Sequence, residues 1–172
     1  SMTQFGQRNG WVRDLLTEAG EACLADAGVP RADVEHIYVA NMASGEFEGQ
    51  TGLMNALAHD MGLLGAYAER VDNTSGTGGA GVFEAWQSVA SGASDCTLLV
   101  GGEKMTHRTT AESTDVIASL THPVEYKHGT TLPSLAGLTA RHYLERFDAP
   151  RETLGEAAVK YHANGTLTHT AQ

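Results

Sequence analysis

The chain has 172 residues, of which 41% are hydrophobic and 19% charged, a balance that suits one ordinary globular domain and excludes a disordered chain. Its formal net charge of -10, with no run of Lys or Arg, argues against a nucleic-acid partner. No apolar stretch approaches the ~20 residues of a membrane span. Two widely spaced cysteines, Cys23 and Cys96, form neither a disulfide framework nor a zinc pattern, and no signal peptide is visible, so the expected setting is a reducing cytoplasm.

Trp11, Val12, Leu15, Leu16, Ala19, Cys23 and Ala27 recur on one face at helical spacing. Gly28 stops that helix and Pro30 follows it. His36–Ala40 reads as a short strand ending in a polar loop, Asn41–Gly45. Leu53, Met54, Ala56, Leu57 and Met61 predict a second helix, closed near Gly62, and Ala66–Val71 a second strand. After the glycine-rich turn at 75–79, Val82, Phe83, Trp86, Val89 and Ala90 mark a third helix, with Phe83 and Trp86 at core spacing. Cys96–Val100 reads as a buried strand. This alternation predicts an α/β fold with a mostly parallel sheet flanked by helices. Residues 106–131 are rich in Thr, His and Ser without a period and read as a long excursion loop. Helices are expected near 133–146 and 151–164. The expected organisation is therefore a core over residues 1–105 and a loop-and-helix region over 106–172.

The glycine-rich turn admits three readings. Gly76-Thr77-Gly78-Gly79-Ala80-Gly81 fits G-x-G-x-x-G between a strand and a helix, and Glu103 follows at a distance that suits a ribose acceptor, as in a nucleotide-binding dehydrogenase. Alternatively, Ser75 sits on a sharp strand-to-helix turn, where backbone N–H groups of the next helix stabilise developing negative charge beside a nucleophile. In the third reading the glycines only allow tight helix-on-sheet packing. The eight histidines show no metal-ligand spacing, so no metal is expected.

Several stretches together resemble the thiolase superfamily, in particular the sterol-carrier-type and acetyl-CoA acetyltransferase-like members. Met2-Thr3-Gln4-Phe5-Gly6 is similar to the M-T-x-F-G after their first strand. Ile37–Met42 resembles their second strand, and Gly45–Gln50 continues in the same style. Val71-Asp72-Asn73-Thr74-Ser75-Gly76-Thr77-Gly78 resembles the nucleophile turn V-N-N-x-C-A-[ST]-G. Gly101-Gly102-Glu103-Lys104-Met105 resembles G-[GF]-E-[KS]-M, and Ala158–Asn164 the lysine- and histidine-containing helix of sterol-carrier-type thiolases.

The resemblance implies an acyl-CoA acyltransferase in which Ser75 takes the position of the nucleophilic cysteine. The substitution is native, engineered or degenerate. It implies coenzyme A thioesters as substrates and no bound cofactor. His128, in the region where thiolases cover their substrate, becomes a candidate substrate contact. The activating histidine and second cysteine of the family belong to its C-terminal half, beyond Gln172, and the family's first strand precedes the M-T-x-F-G stretch. The expectation is a fragment inactive alone, completed by a further segment or chain, and a homodimer formed through the strand Ala66–Val71. The other readings are a non-catalytic thiolase-like partner subunit and the dehydrogenase domain.

Overall fold

In a computed structural model of the chain, residues 1–171 are described. They divide into two units, one of residues 1–3 and 7–108, the other of residues 4–6 and 109 onward.

The first unit is built on a three-stranded parallel sheet in the order β2-β1-β3, with β1 at His36–Ala40, β2 at Tyr67–Val71 and β3 at Thr97–Gly101. Central β1 runs in register from His36 opposite Tyr67 and Thr97 to Ala40 opposite Val71 and Gly101. Ile37–Ala40 are all buried, as expected of a strand covered on both faces. Side chains alternate across the sheet. Ile37, Val39, Leu98 and Val100 join a core with Val12, Leu16 and Leu24 of α1 (Val12–Ala27) and Leu53 and Leu57 of α3 (Leu53–Asp60). The opposite face receives α4 (Thr77–Ala90), where Gly81 lies against Leu99 and Ala40.

The buried stripe of α1 is Val12, Leu16, Gly20 and Leu24, a four-residue repeat displaced slightly from the face expected from sequence. Trp11 and Ala27 are exposed because Trp11 precedes the helix and Ala27 ends it. Gly28 closes α1 at φ 65°, a conformation that favours glycine. The buried Glu48 carboxylate accepts the Val12 N–H at 2.9 Å, satisfying a first-turn donor of α1 and favouring the helix dipole.

Two expectations are corrected in this unit. The polar loop after β1 runs directly into a one-turn helix, α2 (Ser44–Glu48), too short to leave a periodic signal. Phe83 and Trp86 are not core residues: they are 56% and 62% exposed, and Val82 and Val89 are exposed beside them. Small residues, Thr77, Gly81 and Ser88, make the buried face of α4. Close approach to the sheet selects them, and the large apolar side chains point outward.

The second unit corrects the excursion-loop reading. Residues 106–131 contain α5 (Thr110–Ala118) and α6 (Pro123–Tyr126). Thr109 and Glu112 form a reciprocal capping box on α5, and Pro123 opens α6, whose first turn is capped by His122 Nδ1 accepting from Val124 N–H at 3.2 Å. Local capping starts these helices without an apolar stripe, so the period was silent. α7 (Leu132–Phe147) and α8 (Glu152–Gly165) follow. Phe5 N–H reaches Thr170 O at 3.1 Å within the same unit. Among the described residues no helix is long and apolar enough to cross a membrane.

Candidate active site

The three parallel strands end on the same side of the sheet, and the loops leaving them enclose a cavity of about 510 Å³ lined by Met42, Ser75, Thr77, Gly78, Gly102 and Glu103, among others. All belong to the first unit. Ligands in parallel α/β sheets bind at this carboxyl edge, where loops and helix N-termini converge.

Ser75 lies in a single 3-10 turn, Thr74–Gly76, between β2 and α4. A set of hydrogen bonds shapes that turn, among them Thr77 N–H to Thr74 O. Asp72 Oδ1 accepts Thr74 N–H at 3.0 Å, and Gly76 N–H donates to Asn73 O at 2.9 Å. The Thr77 hydroxyl donates to Thr74 O at 2.6 Å and accepts from Asn73 N–H at 2.8 Å. Arg70 holds Asp72 in an ion pair at 3.6 Å. The result forces Thr74 to φ 48°, a strained value for a β-branched residue and of the kind that functional turns store. Ser75 is thereby presented at the surface of the cavity immediately ahead of α4. That helix carries no side-chain cap; Thr77 N–H donates to Thr74 O, so the first-turn N–H groups after Thr77 and the positive end of the dipole are left for an anion or a polarised oxygen. The Ser75 hydroxyl has no hydrogen-bond partner among the described residues.

Opposite the Ser75 turn, the loop after β1 is tied to the end of β3. Asn41, fully buried, donates from Nδ2 to Gly102 O at 2.9 Å and accepts Ser44 N–H at 3.0 Å. Glu103 Oε1 accepts the N–H groups of Met42 and of Ala43, the latter at 3.3 Å. Burial pushes the Glu103 carboxyl above the ordinary range, against the opposing pull of those two N–H groups, the nearby Asn41 amide and Arg70.

This arrangement excludes the dehydrogenase reading. The strand leading into the glycine-rich turn is at the sheet edge, and β1 separates it from the strand that precedes Glu103. A dinucleotide site needs the phosphate-turn strand beside the strand carrying the ribose acceptor. Glu103 also spends one oxygen on backbone N–H groups. Tight packing holds in part, since a Cβ on Gly81 would lie 2.8 Å from Leu99 Cδ1.

The whole of this chain, residues 1–172, matches the family described as "Thiolase, N-terminal domain". The chain belongs to the thiolase family. It is 34% identical over 176 residues to an acetyl-CoA acetyltransferase of Methanothermobacter thermautotrophicus, covering 100% of this chain and 45% of the relative. A second acetyl-CoA acetyltransferase, of Methanocaldococcus jannaschii, is 33% identical over 99% of this chain and 43% of its own length. Sterol carrier protein 2 of Gallus gallus is 29% identical over 89% of this chain and 29% of its own length. The chain thus spans less than half the length of these thiolase relatives.

Of the two site residues expected from the thiolase resemblance, Ser75 lines the cavity. His128 belongs to the second unit, exposed in the turn after α6, with its N–H bonded to Glu125 O at 3.0 Å. Glu103, which the thiolase resemblance makes a structural acceptor at the strand end, does accept there, whereas sequence reasoning missed Thr77 and Asn41. Thr77 stood in the thiolase turn motif, but its double hydrogen bond depends on a fold-back that residue spacing does not display.

Proposed function

We propose that this chain carries the nucleophile half of a thiolase-type acyl-CoA acyltransferase site and that Ser75 forms the acyl-enzyme. The observation that carries this reading is the placement of Ser75 on a strained turn, at a strand-end cavity and directly ahead of an uncapped helix N-terminus, in a thiolase chain. In the step proposed, Ser75 Oγ bonds to the thioester carbonyl carbon as a base takes its proton. The C–S bond then breaks, and coenzyme A leaves as the thiol, carrying the proton returned to it. The N–H groups of the α4 first turn after Thr77 suit the oxyanion formed on the way. A hydroxyl needs a strong base for this chemistry; the family resemblance assigns that base to a histidine of the other half. Acetyl-CoA or another acyl-CoA is the substrate rather than a bound cofactor, and His128 is a proposed contact for it.

A homodimer through β2 and a further segment or chain covering α4 complete the proposal. The exposed Phe83, Trp86, Val82 and Val89 support the second part, since contiguous exposed apolar surface marks an interaction site. A cytoplasmic setting fits the unpaired Cys23 and Cys96. The second reading is a non-catalytic thiolase-like subunit.

Mass spectrometry after incubation of the complete protein with acetyl-CoA separates the two. The expected result is an acetyl adduct on Ser75 that disappears in Ser75→Ala and persists or increases in Ser75→Cys, because a thiolate forms more readily than an alkoxide. Unchanged acyl transfer by Ser75→Ala removes the assignment.

A further inference from the structure

Glu103 lines the Ser75 cavity, yet the acyl-transfer step has no use for it. Its Oε1 takes the backbone N–H groups of Met42 and Ala43 in the loop after β1, while Oε2 is a buried side-chain oxygen without a hydrogen-bond partner among the described residues. A backbone N–H donates to Oε1 whether the carboxyl is ionised or neutral. Oε2 is different: the residue is only half-buried, but this oxygen is shielded from solvent, so a neutral hydroxyl there forgoes one hydrogen bond, whereas a carboxylate leaves negative charge on a buried oxygen without a donor, a greater cost.

We propose that Glu103 is a positioning residue of the Ser75 cavity, acting as the neutral acid that bolts the loop at Asn41–Ala43 to the end of β3, and that ionisation of Oε2 releases the bolt.

The charged groups around it do not remove the cost. Arg70, from β2, bonds Met42 O at 3.5 Å and is shared with Asp72. Lys104, the next residue, turns its ammonium to Arg8 O and to Thr106 Oγ1. Asn41 donates to Gly102 O, and the pull of its amide and of Arg70 on the Glu103 carboxyl does not overcome the effect of burial. Burial also pushes the Glu103 carboxyl above its ordinary range. Opening the loop hydrates Oε2 and returns the carboxyl to its ordinary range. By linkage the open form is therefore favoured as pH rises, roughly tenfold for each pH unit by which closure had raised the pKa. Met42, one wall of the cavity, moves with the loop, so acylation of Ser75 falls on the alkaline side. That last link rests on the acyltransferase reading; the loop and its titration do not.

The test is amide hydrogen exchange at Met42 and Ala43 in the complete protein, followed across pH, for the wild type, Glu103→Gln and Glu103→Ala. In the wild type, protection at both amides is expected to drop by about tenfold per unit of displacement, beyond the intrinsic rise in exchange rate. Glu103→Gln, which mimics the neutral acid, should hold the low-pH protection at every pH, and Glu103→Ala should lose it at every pH. In parallel, the alkaline fall in Ser75 acetylation should disappear in Glu103→Gln while the low-pH rate persists. A Gln variant that keeps its fold but loses protection at all pH values overturns the proposal, because the carboxylate itself is then needed. So does one that retains the wild-type step, because another group then titrates. Should the Gln variant fail to fold, the Glu103 carboxyl ¹³C titration in the wild type decides: coincidence with the amide step supports the bolt, and separation overturns it. If Ser75 takes no acetyl group at all, the acyltransferase reading falls while the amide result still judges the bolt.

Discussion

A single hydroxyl, that of Thr77, holds the turn that presents Ser75. It accepts from Asn73 N–H and donates to Thr74 O. Thr77→Val keeps the shape and removes both bonds, so a loss of about 1–3 kcal/mol is expected in denaturant unfolding, together with a larger drop in Ser75 acylation than in binding. Thr77→Ser should restore both. Thr74 carries the cost of the geometry at φ 48°. Thr74→Gly relieves the side-chain strain but loosens the unfolded chain, so its stability should change by no more than about 1 kcal/mol while the turn becomes more mobile. Glu103 supplies a pH signature. Its folded pKa is raised, so its contribution to stability is complete below the ordinary Glu range and is lost as pH rises through the folded pKa. Glu103→Gln should therefore gain in melting temperature over the wild type as pH rises, and the gap should close on the acid side. A gap that widens towards acid pH contradicts the raised pKa. Ser75 and Glu103 were both singled out by motif, but the roles of Thr77 and Asn41 were illegible, because each depends on backbone groups brought near by the turn rather than on residue type.

Helix α4 shows how an element's face can be misread. Apolar residues at helical spacing usually mark the buried side, yet here Gly81 and Ser88 face the sheet and Phe83 and Trp86 face away. Phe83→Gln with Trp86→Gln should therefore leave the unfolding free energy of this chain within about 0.5 kcal/mol per site, the range for exposed positions. Core aromatics would instead lose several kcal/mol each, and equilibrium unfolding distinguishes the two. Gly81→Val tests the opposite face. A Cβ there meets Leu99 Cδ1 at 2.8 Å and Ala40 Cβ at 3.1 Å, so α4 must lift off the sheet, at a cost of about 1–3 kcal/mol. Unfolding midpoints no lower than wild type would show that the helix can move freely.

At the scale of the molecule, the sheet has two edges, β2 and β3. Tyr67 N–H turns inward to Glu35 O at 2.8 Å, so by alternation Ala68 N–H faces the outer edge of β2. An unpaired edge of this kind is a template for a second chain. Under the proposed association through β2, Ala68→Pro should convert a dimer to a monomer in sedimentation while leaving the circular dichroism spectrum intact, since an edge position tolerates the lost donor. A dimer unaffected by Ala68→Pro places the interface elsewhere. The exposed apolar face of α4 predicts a separate contact, and its burial in a larger assembly would appear as reduced labelling or solvent accessibility at Trp86.

Apart from the one-turn α2, the order of strands and main helices in the first unit was legible from residue pattern alone. Short β-branched and aliphatic runs, a glycine stop at Gly28 and helical spacing in α1 and α3 are local signals, and local signals survive without a fold. The family was legible for a related reason: contiguous motifs keep their order and spacing along the chain. Only the tertiary structure decided which face of α4 is buried, because close helix–sheet approach rewards a missing side chain at Gly81 more than an apolar one. Only it showed the helices within 106–131, which begin at capped ends rather than on an apolar stripe. And only it joined Asn41 to Gly102 and Met42 to Glu103, each across 61 residues, because the parallel register of β1 and β3 brings their ends together and no spacing in the sequence records that distance.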